Sequence, residues 1–245
     1  MLSPLATGAL TAFGAAAGLG LAAGGYAYAT LWPGSQLFGS ALIAPRRPGE
    51  IALTFDDGPN PAWTPRLLDT LAKHNLHAAF FMVGRRAQAE PALVRQIAAA
   101  GHIVGNHSWT HANLATASAS QIHQEIARAS ETLTQITGSP IRYFRPPFGA
   151  RRPETLRVAR HLGLTPVLWN AMTSDWESPA VEVITRQLAL KIDSLTRHGR
   201  AVNLVLHDGG HLEPAAHRAS SVAACAQLIE RYLPTHRFVT LDSWT

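Results

Sequence analysis

Ile51-Ala52-Leu53-Thr54-Phe55-Asp56-Asp57-Gly58-Pro59 is the stretch that decides the fold. Its first five residues are a short, mainly apolar run with β-branched and aromatic members, stopped by two carboxylates and a Gly-Pro turn. A run of that length and make-up reads as a strand. Similar runs recur at Ala78–Val83, His102–Val104, Ile141–Phe144, Pro166–Trp169, Ala201–Leu206 and Arg237–Leu241. Helical patterns lie between them, near 64–74, 91–100, 119–137, 153–162, 179–198 and 215–232. Several begin on Pro or Ser and end in Gly or Asn, as the one from Pro91 to Gly101 does. Strand–helix alternation implies a parallel sheet with crossover helices. Six or seven such units favour a closed or nearly closed barrel over a doubly wound sheet, and their spacing leaves closure open.

Length and composition fit that scale. The 245 residues are 47% hydrophobic and 15% charged, enough for one sizeable core. Residues 1–45 contain no Asp, Glu, Lys, Arg or His, so the net charge of +5 belongs to residues 46–245. The basic pairs Arg46-Arg47, Arg85-Arg86 and Arg151-Arg152 are scattered and no nucleic-acid-binding motif accompanies them, so no nucleic-acid partner is expected. Cys225 is the only cysteine, which rules out an intramolecular disulfide, and its apolar-periodic surroundings read as core.

From Leu5 to Leu31 the chain is apolar or small, broken only by Thr7, Thr11 and Thr30. Roughly 20 such residues suffice to cross a bilayer as a helix. Residues 1–31 are therefore expected to be a hydrophobic helix acting as a membrane anchor, or a secretory signal cleaved after Ala27-Tyr28-Ala29. Either places the remaining domain, residues 50–245, outside the cytoplasm, anchored or secreted. Against this, the first positive residues follow the apolar run, where the positive-inside rule would hold them in the cytoplasm. Residues 32–49, with Pro33, Pro45 and Pro48 and no apolar period, read as a linker.

In parallel α/β folds the chemistry sits at the carboxyl ends of the strands, and the candidate residues fall there. Asp56 and Asp57 follow the first strand; at a strand end leading into a turn, both carboxylates can face one pocket. His107 and His111 follow the third, four residues apart, a spacing that can chelate one ion. Two imidazoles and one carboxylate make a site with open positions for water and substrate. Arg145, Asp175 and His207 stand after later strands and supply a base, an acid and their orienting partners.

Five ordered motifs carry a resemblance: Thr54-Phe55-Asp56-Asp57-Gly58, His107-Ser108-Trp109-Thr110-His111, Arg145-Pro146-Pro147-Phe148-Gly149, Asp175-Trp176 and Leu204-Val205-Leu206-His207-Asp208. Through them residues 51–241 resemble the polysaccharide deacetylases with a NodB homology domain, carbohydrate esterase family 4. The resemblance implies a distorted (β/α)7-type barrel and one divalent ion, zinc or cobalt, on Asp57, His107 and His111. It also implies Asp56 as general base with Arg145 positioning it, and His207 as general acid paired with Asp175. Phe148 would offer its backbone N–H to the oxyanion, and Trp176 would wall the acetyl pocket. Period-2 alternation adds Val205, on the same side as His207, to that wall. The expected substrate is an acetylated polysaccharide or cell-wall glycan. One departure stands out: Met172 occupies a place, three before Asp175, where the family often has a second acid. His211 and His217 match no role in this chemistry and read as surface histidines. Two other readings remain: a related metal hydrolase of small amides or imides, and a non-catalytic glycan-binding domain, which would require a lost base, ligand or acid.

Overall fold

The structure, a computed structural model, describes residues 23–213 and 215–245. Its centre is β1 (Glu50–Gly58), buried at every position, as a parallel strand covered on both faces must be. Parallel neighbours flank it, β2 (Ala79–Met82) on one side and β7 (Val202–His207) on the other. Beyond β2 come β3 (Ile103–Asn106), β4 (Tyr143–Phe144) and β5 (Thr165–Pro166), and beyond β7 comes β6 (Ala171–Met172). A short β8 (Arg237–Phe238) pairs with the start of β1. All these pairings are parallel. The result is a curled parallel sheet, a distorted (β/α)7 barrel.

The crossover helices lie close to their expected positions: α1 (Thr64–Lys73), α3 (Pro91–Ala99), α4 (Ala119–Thr137), α5 (Pro153–His161), α6 (Val181–Arg197) and α7 (Ala219–Tyr232). The sequence reading does not anticipate α2 (Gly84–Ala89). α4 shows why the others are legible. Ser118 and Gln121 close a capping box, Gly138 ends the helix at φ 68°, and Ile122, Ile126, Ala129 and Leu133 form its buried stripe. Leu53 and Phe55 of β1 face outward onto the main core under the helices, with Phe80, Leu71, Leu204 and Leu228. Alternate residues face the barrel interior, where Ala52, Ala79, Phe81 and Tyr143 cluster.

The sheet does not close on itself. β5 and β6 are its two edges although they are consecutive in sequence, and a seam lies between them. Of the expected strand Pro166–Trp169 only Pro166 lies in β5, Val167 makes an isolated bridge, and β6 begins beyond it at Ala171. Residues 41–45 fill that seam. Leu42 bridges to Val167, its N–H donates to Pro166 O and its carbonyl accepts from Leu168 N–H, both at 2.8 Å. Ala41 and Ile43 pack against Leu168, Trp169 and Val205. The span 32–49 is thus not a linker throughout; a one-residue bridge has no period for sequence reading to find. Residues 23–31 are helical and carry Ala29 and Thr30 into the protein. The expected hydrophobic helix and signal segment, 1–31, lies largely outside the described residues. Among the described residues no helix is long and apolar enough to cross a membrane.

Candidate active site

At the carboxyl ends of these strands, Asp57, His107 and His111 bring one ligand atom each within 4.8 Å of one another, all three residues buried. His107 Nε2 and His111 Nε2 lie 3.3 and 3.0 Å from Asp57 Oδ1. Yet that oxygen has no partner in hydrogen-bond geometry. Two nitrogens and an orphaned buried oxygen converging on one point is the donor set of a divalent cation. His107 Nδ1 lies 2.7 Å from the Arg145 carbonyl oxygen, which can only accept. The proton therefore sits on Nδ1, and Nε2 presents its lone pair to the pocket. Burial pushes the Asp57 carboxyl up, and protons carried on the two neighbouring Nε2 atoms when no ion is bound pull it well below the usual carboxylate range. His111 is lowered, chiefly by burial.

The backbone here is unusual. Asp57, Ser108, His111 and Phe148 all have left-handed φ, between 58° and 73°. Such conformations cost non-glycine residues about 1–3 kcal/mol each and persist only where the surroundings enforce them. At Asp57 the enforcer is Arg86, the third residue of α2. Its Nη1 donates to Asp57 O at 2.5 Å, and its Nη2 donates to Gly210 O and to His211 O. From the same turn, the N–H groups of Gly84 and Arg85 donate to Ser108 O and Trp109 O, inside the His107–His111 loop. The start of α2 thus grips both segments that carry the Asp57–His107–His111 donor set. Gly209 is the other half of this fit, because a Cβ there would overlap the Asp57 carbonyl.

Two ion pairs face the cavity. Arg145, fully buried, donates from Nη1 to Asp56 Oδ1 at 2.7 Å and to Thr54 Oγ1 at 2.9 Å, its guanidinium 4.1 Å from the centre of the Phe81 ring. Asp56 Oδ2 remains free of that pair, 4.0 Å from His107 Nε2. On the adjacent strand, in register with Asp56, stands His207. Its Nδ1 lies 2.8 Å from Asp175 Oδ1, while Asp175 Oδ2 accepts from His207 N–H and Ser221 Oγ. Burial pushes the His207 imidazole down, but Asp175 and, beyond it, Asp57 and Asp56 outweigh it and raise it to about 9.

These groups form the floor of a cavity of about 300 Å³. Phe148, Trp169, Met172, Trp176 and His211 wall it. Trp176 meets His207 edge-on at 5.2 Å, and Phe148 meets His111 at 4.7 Å. A larger cavity, about 630 Å³, opens at the opposite end of β3 and β4 and holds no comparable cluster. Val205 does not line the site; it is buried beneath Trp169 and Met172. His211, expected on the surface, stands in the wall, 5.7 Å from His111 and 5.6 Å from Phe148. Sequence reasoning also missed Trp169, although it ends an expected strand, and Arg86, whose role depends on a backbone approach that no spacing encodes.

The family model described as polysaccharide deacetylase matches residues 44–167. A peptidoglycan-N-acetylglucosamine deacetylase of Bacillus cereus is 33% identical over 210 residues, covering 85% of this chain and 72% of that protein. A chitooligosaccharide deacetylase of Azorhizobium caulinodans is 35% identical over 182 residues, 74% of this chain and 84% of the relative. Among solved structures, a peptidoglycan N-acetylglucosamine deacetylase in complex with 4-naphthalen-1-yl-N-oxidanyl-benzamide superposes with a TM-score of 0.72 at 32% identity, covering 83% of this chain and 91% of that one. A CE4 family pseudoenzyme from Bacillus anthracis shares the fold, with a TM-score of 0.74 at 23% identity over 83% of this chain and 68% of that one.

Proposed function

The chain belongs to the polysaccharide deacetylase family, and on that premise we propose that it hydrolyses N-acetyl groups on a cell-wall or related glycan, with Asp56 as base and His207 as acid. One observation carries the reading: Asp56 and His207 stand in register on adjacent strands, each with its own buried counter-charge, beside the Asp57–His107–His111 donor set. Asp57, His107 and His111 would hold one divalent ion, zinc or cobalt by resemblance to the family, and such an ion would supply Lewis-acid polarisation of the acetyl carbonyl and a lowered pKa for water.

The protein's own groups do the rest. Arg145 occupies Asp56 Oδ1 and favours the carboxylate, so Oδ2 is available to take the proton of the attacking water. The new C–O bond turns the carbonyl oxygen into an oxyanion, towards which the Phe148 N–H is assigned. A donor of that kind contributes about 3 kcal/mol to transition-state stabilisation. His207, charged at neutral pH, delivers its proton from Nε2 to the departing nitrogen. The C–N bond breaks, and acetate and a free amine leave. Trp176, Trp169 and Met172 enclose the acetyl methyl; an apolar Met172 suits that wall where an acid would not.

The uncharged apolar sequence 5–31 supports an uncleaved membrane anchor with the catalytic domain on the outer side, where cell-wall glycan lies. The deciding experiment measures acetate released from N-acetylglucosamine oligosaccharides and from acetylxylan by the full chain in detergent. Zinc- and cobalt-loaded protein is compared with chelator-treated protein and with Asp56→Asn. Release that needs metal and falls about 10²–10⁴-fold in Asp56→Asn is expected. Equal release by Asp56→Asn removes Asp56 as the base, and no release from any acetylated sugar by metal-loaded protein sinks the deacetylase reading.

A further inference from the structure

Tyr26, Tyr28, Leu31 and Trp32 are each about half exposed, at the end of the helical segment 23–31. Tyr28 and Trp32 stack with centroids 6.2 Å apart, and Leu37 adds a further exposed apolar side chain just beyond. Tyrosine and tryptophan side by side, apolar in body and polar at one end, are the residues that gather where hydrocarbon gives way to water. The sequence leading into them fits that boundary. Residues 5–22 carry no charged side chain and, with the apolar residues that follow, make a run of the length that suffices to cross a bilayer, roughly 20 residues.

The segment is also fixed to the catalytic domain. Arg151, 1% exposed, donates to the carbonyls of Trp32 and Ser35 at 2.8 Å and of Thr30 at 3.4 Å, and its backbone N–H donates to Thr30 O at 3.1 Å. The same guanidinium donates to Gly149 O at 3.0 Å, next to Phe148 in the cavity wall. One buried cation therefore ties the end of the helical segment to the loop that borders the pocket.

We propose that Tyr26, Tyr28, Leu31 and Trp32 form a collar seated among the headgroups of a lipid bilayer, and that Arg151 holds the Phe148 edge of the pocket next to that surface. The proposal rests on the anchor reading above and adds to it: the domain does not swing on a tether, and the glycan it meets first is the part nearest the membrane.

The test uses the full chain in phosphatidylcholine–phosphatidylglycerol vesicles whose acyl chains carry bromine either close to the headgroups or near the bilayer centre. Bromine quenches tryptophan emission on contact. Shallow bromine is expected to quench more than deep bromine, and the shallow-quenched component is expected to be lost in Trp32→Phe. That variant keeps an aromatic ring and the carbonyl that Arg151 holds, so folding is not at issue. Protein that floats with vesicles but is quenched equally with and without Trp32, or more by deep bromine, overturns the collar alone. Protein that does not float overturns anchor and collar together, and neither result touches acetate release.

Discussion

Asp56 and His207 are opposite each other in the pairing of β1 with β7, and the tasks proposed for them, base and acid, require opposite protonation states. Arg145 serves one and Asp175 the other. His207 is raised to about 9 against the downward push of burial, with Asp175 the largest of the raising influences. The imidazole is charged below that value and neutral above it. As an acid it works on the low side, so kcat is expected to fall as pH rises through about 9. A bound dication offsets the help from Asp57 and Asp56 and brings that limb lower. Asp175→Asn removes the main raising influence and is expected to move the limb further down. A pH profile of deacetylation on a soluble oligosaccharide reads both; an alkaline limb unmoved by Asp175→Asn takes His207 out of the acid role. Stability carries the same sign: the raised imidazole contributes fully below its ordinary 6.5, and the contribution is lost as pH rises through about 9. The residues that the structure gathers at the cavity floor were legible because each has a distinctive type at a strand end. Val205 was misplaced because alternation gives the side of a strand but not the depth at which Trp169 and Met172 cover it. His211 was passed over because its place in the wall comes from a loop that Arg86 pulls inward.

Among the elements, α2 is the least legible and bears most directly on the residues proposed to hold the metal. Six residues starting on glycine offer no period, and no side chain caps the helix. Its register is set instead by contact: a Cβ at Gly84 would come within 2.6 Å of the Trp109 ring and 3.0 Å of Ala129 on α4. That close approach brings its first N–H groups onto the His107–His111 loop and Arg86 onto Asp57. Arg86 stays charged in a buried place, lowered by burial and supported by Asp57. A positive charge behind a metal ligand works against cation binding by simple Coulomb repulsion, so its value there must lie in holding the left-handed turn. Arg86→Met, with similar bulk and no donors, is expected to weaken zinc binding about 10–100-fold, the usual effect of removing a group that orients a ligand. Competition with a chromophoric chelator measures it. Unchanged or tighter binding would mean that repulsion outweighs positioning. Cobalt-loaded protein adds a second readout, since a displaced Asp57 alters the visible absorption band even where affinity survives.

On the scale of the whole molecule, the alternation of strands and helices conveyed a parallel barrel, but the way its wall is completed lay in a stretch without pattern. β5 and β6 leave an open seam, and the wall is continuous only because residues 40–45 cross it. Leu42 bridges to Val167, Ala201 N–H donates to Pro45 O, Arg200 donates to Ala44 O, and Arg160 donates to Ser40 O. Asn203 links the seam to the catalytic groups: its amide donates to Ile43 O and Leu168 O, while its Oδ1 lies 3.4 Å from both Thr54 Oγ1 and Arg145 Nη2. A chain beginning at Arg46 would take the Thr30, Trp32 and Ser35 carbonyls from Arg151, leaving it that of Gly149, and would strip the seam. Losing several hydrogen bonds to a charged group, each worth about 1.5–3 kcal/mol, together with the apolar seam contacts, is expected to cost about 3–5 kcal/mol, which for a domain of this size lowers the unfolding midpoint by roughly 6–20 °C. A chain beginning at Ala23 keeps every one of these contacts and is expected to melt within about 3 °C of the full chain under the same conditions. Differential scanning calorimetry of the two shortened chains decides the matter. Equal midpoints would show that residues 23–45 only rest against a barrel that stands without them; a large gap would show that the catalytic domain begins before the first of its strands.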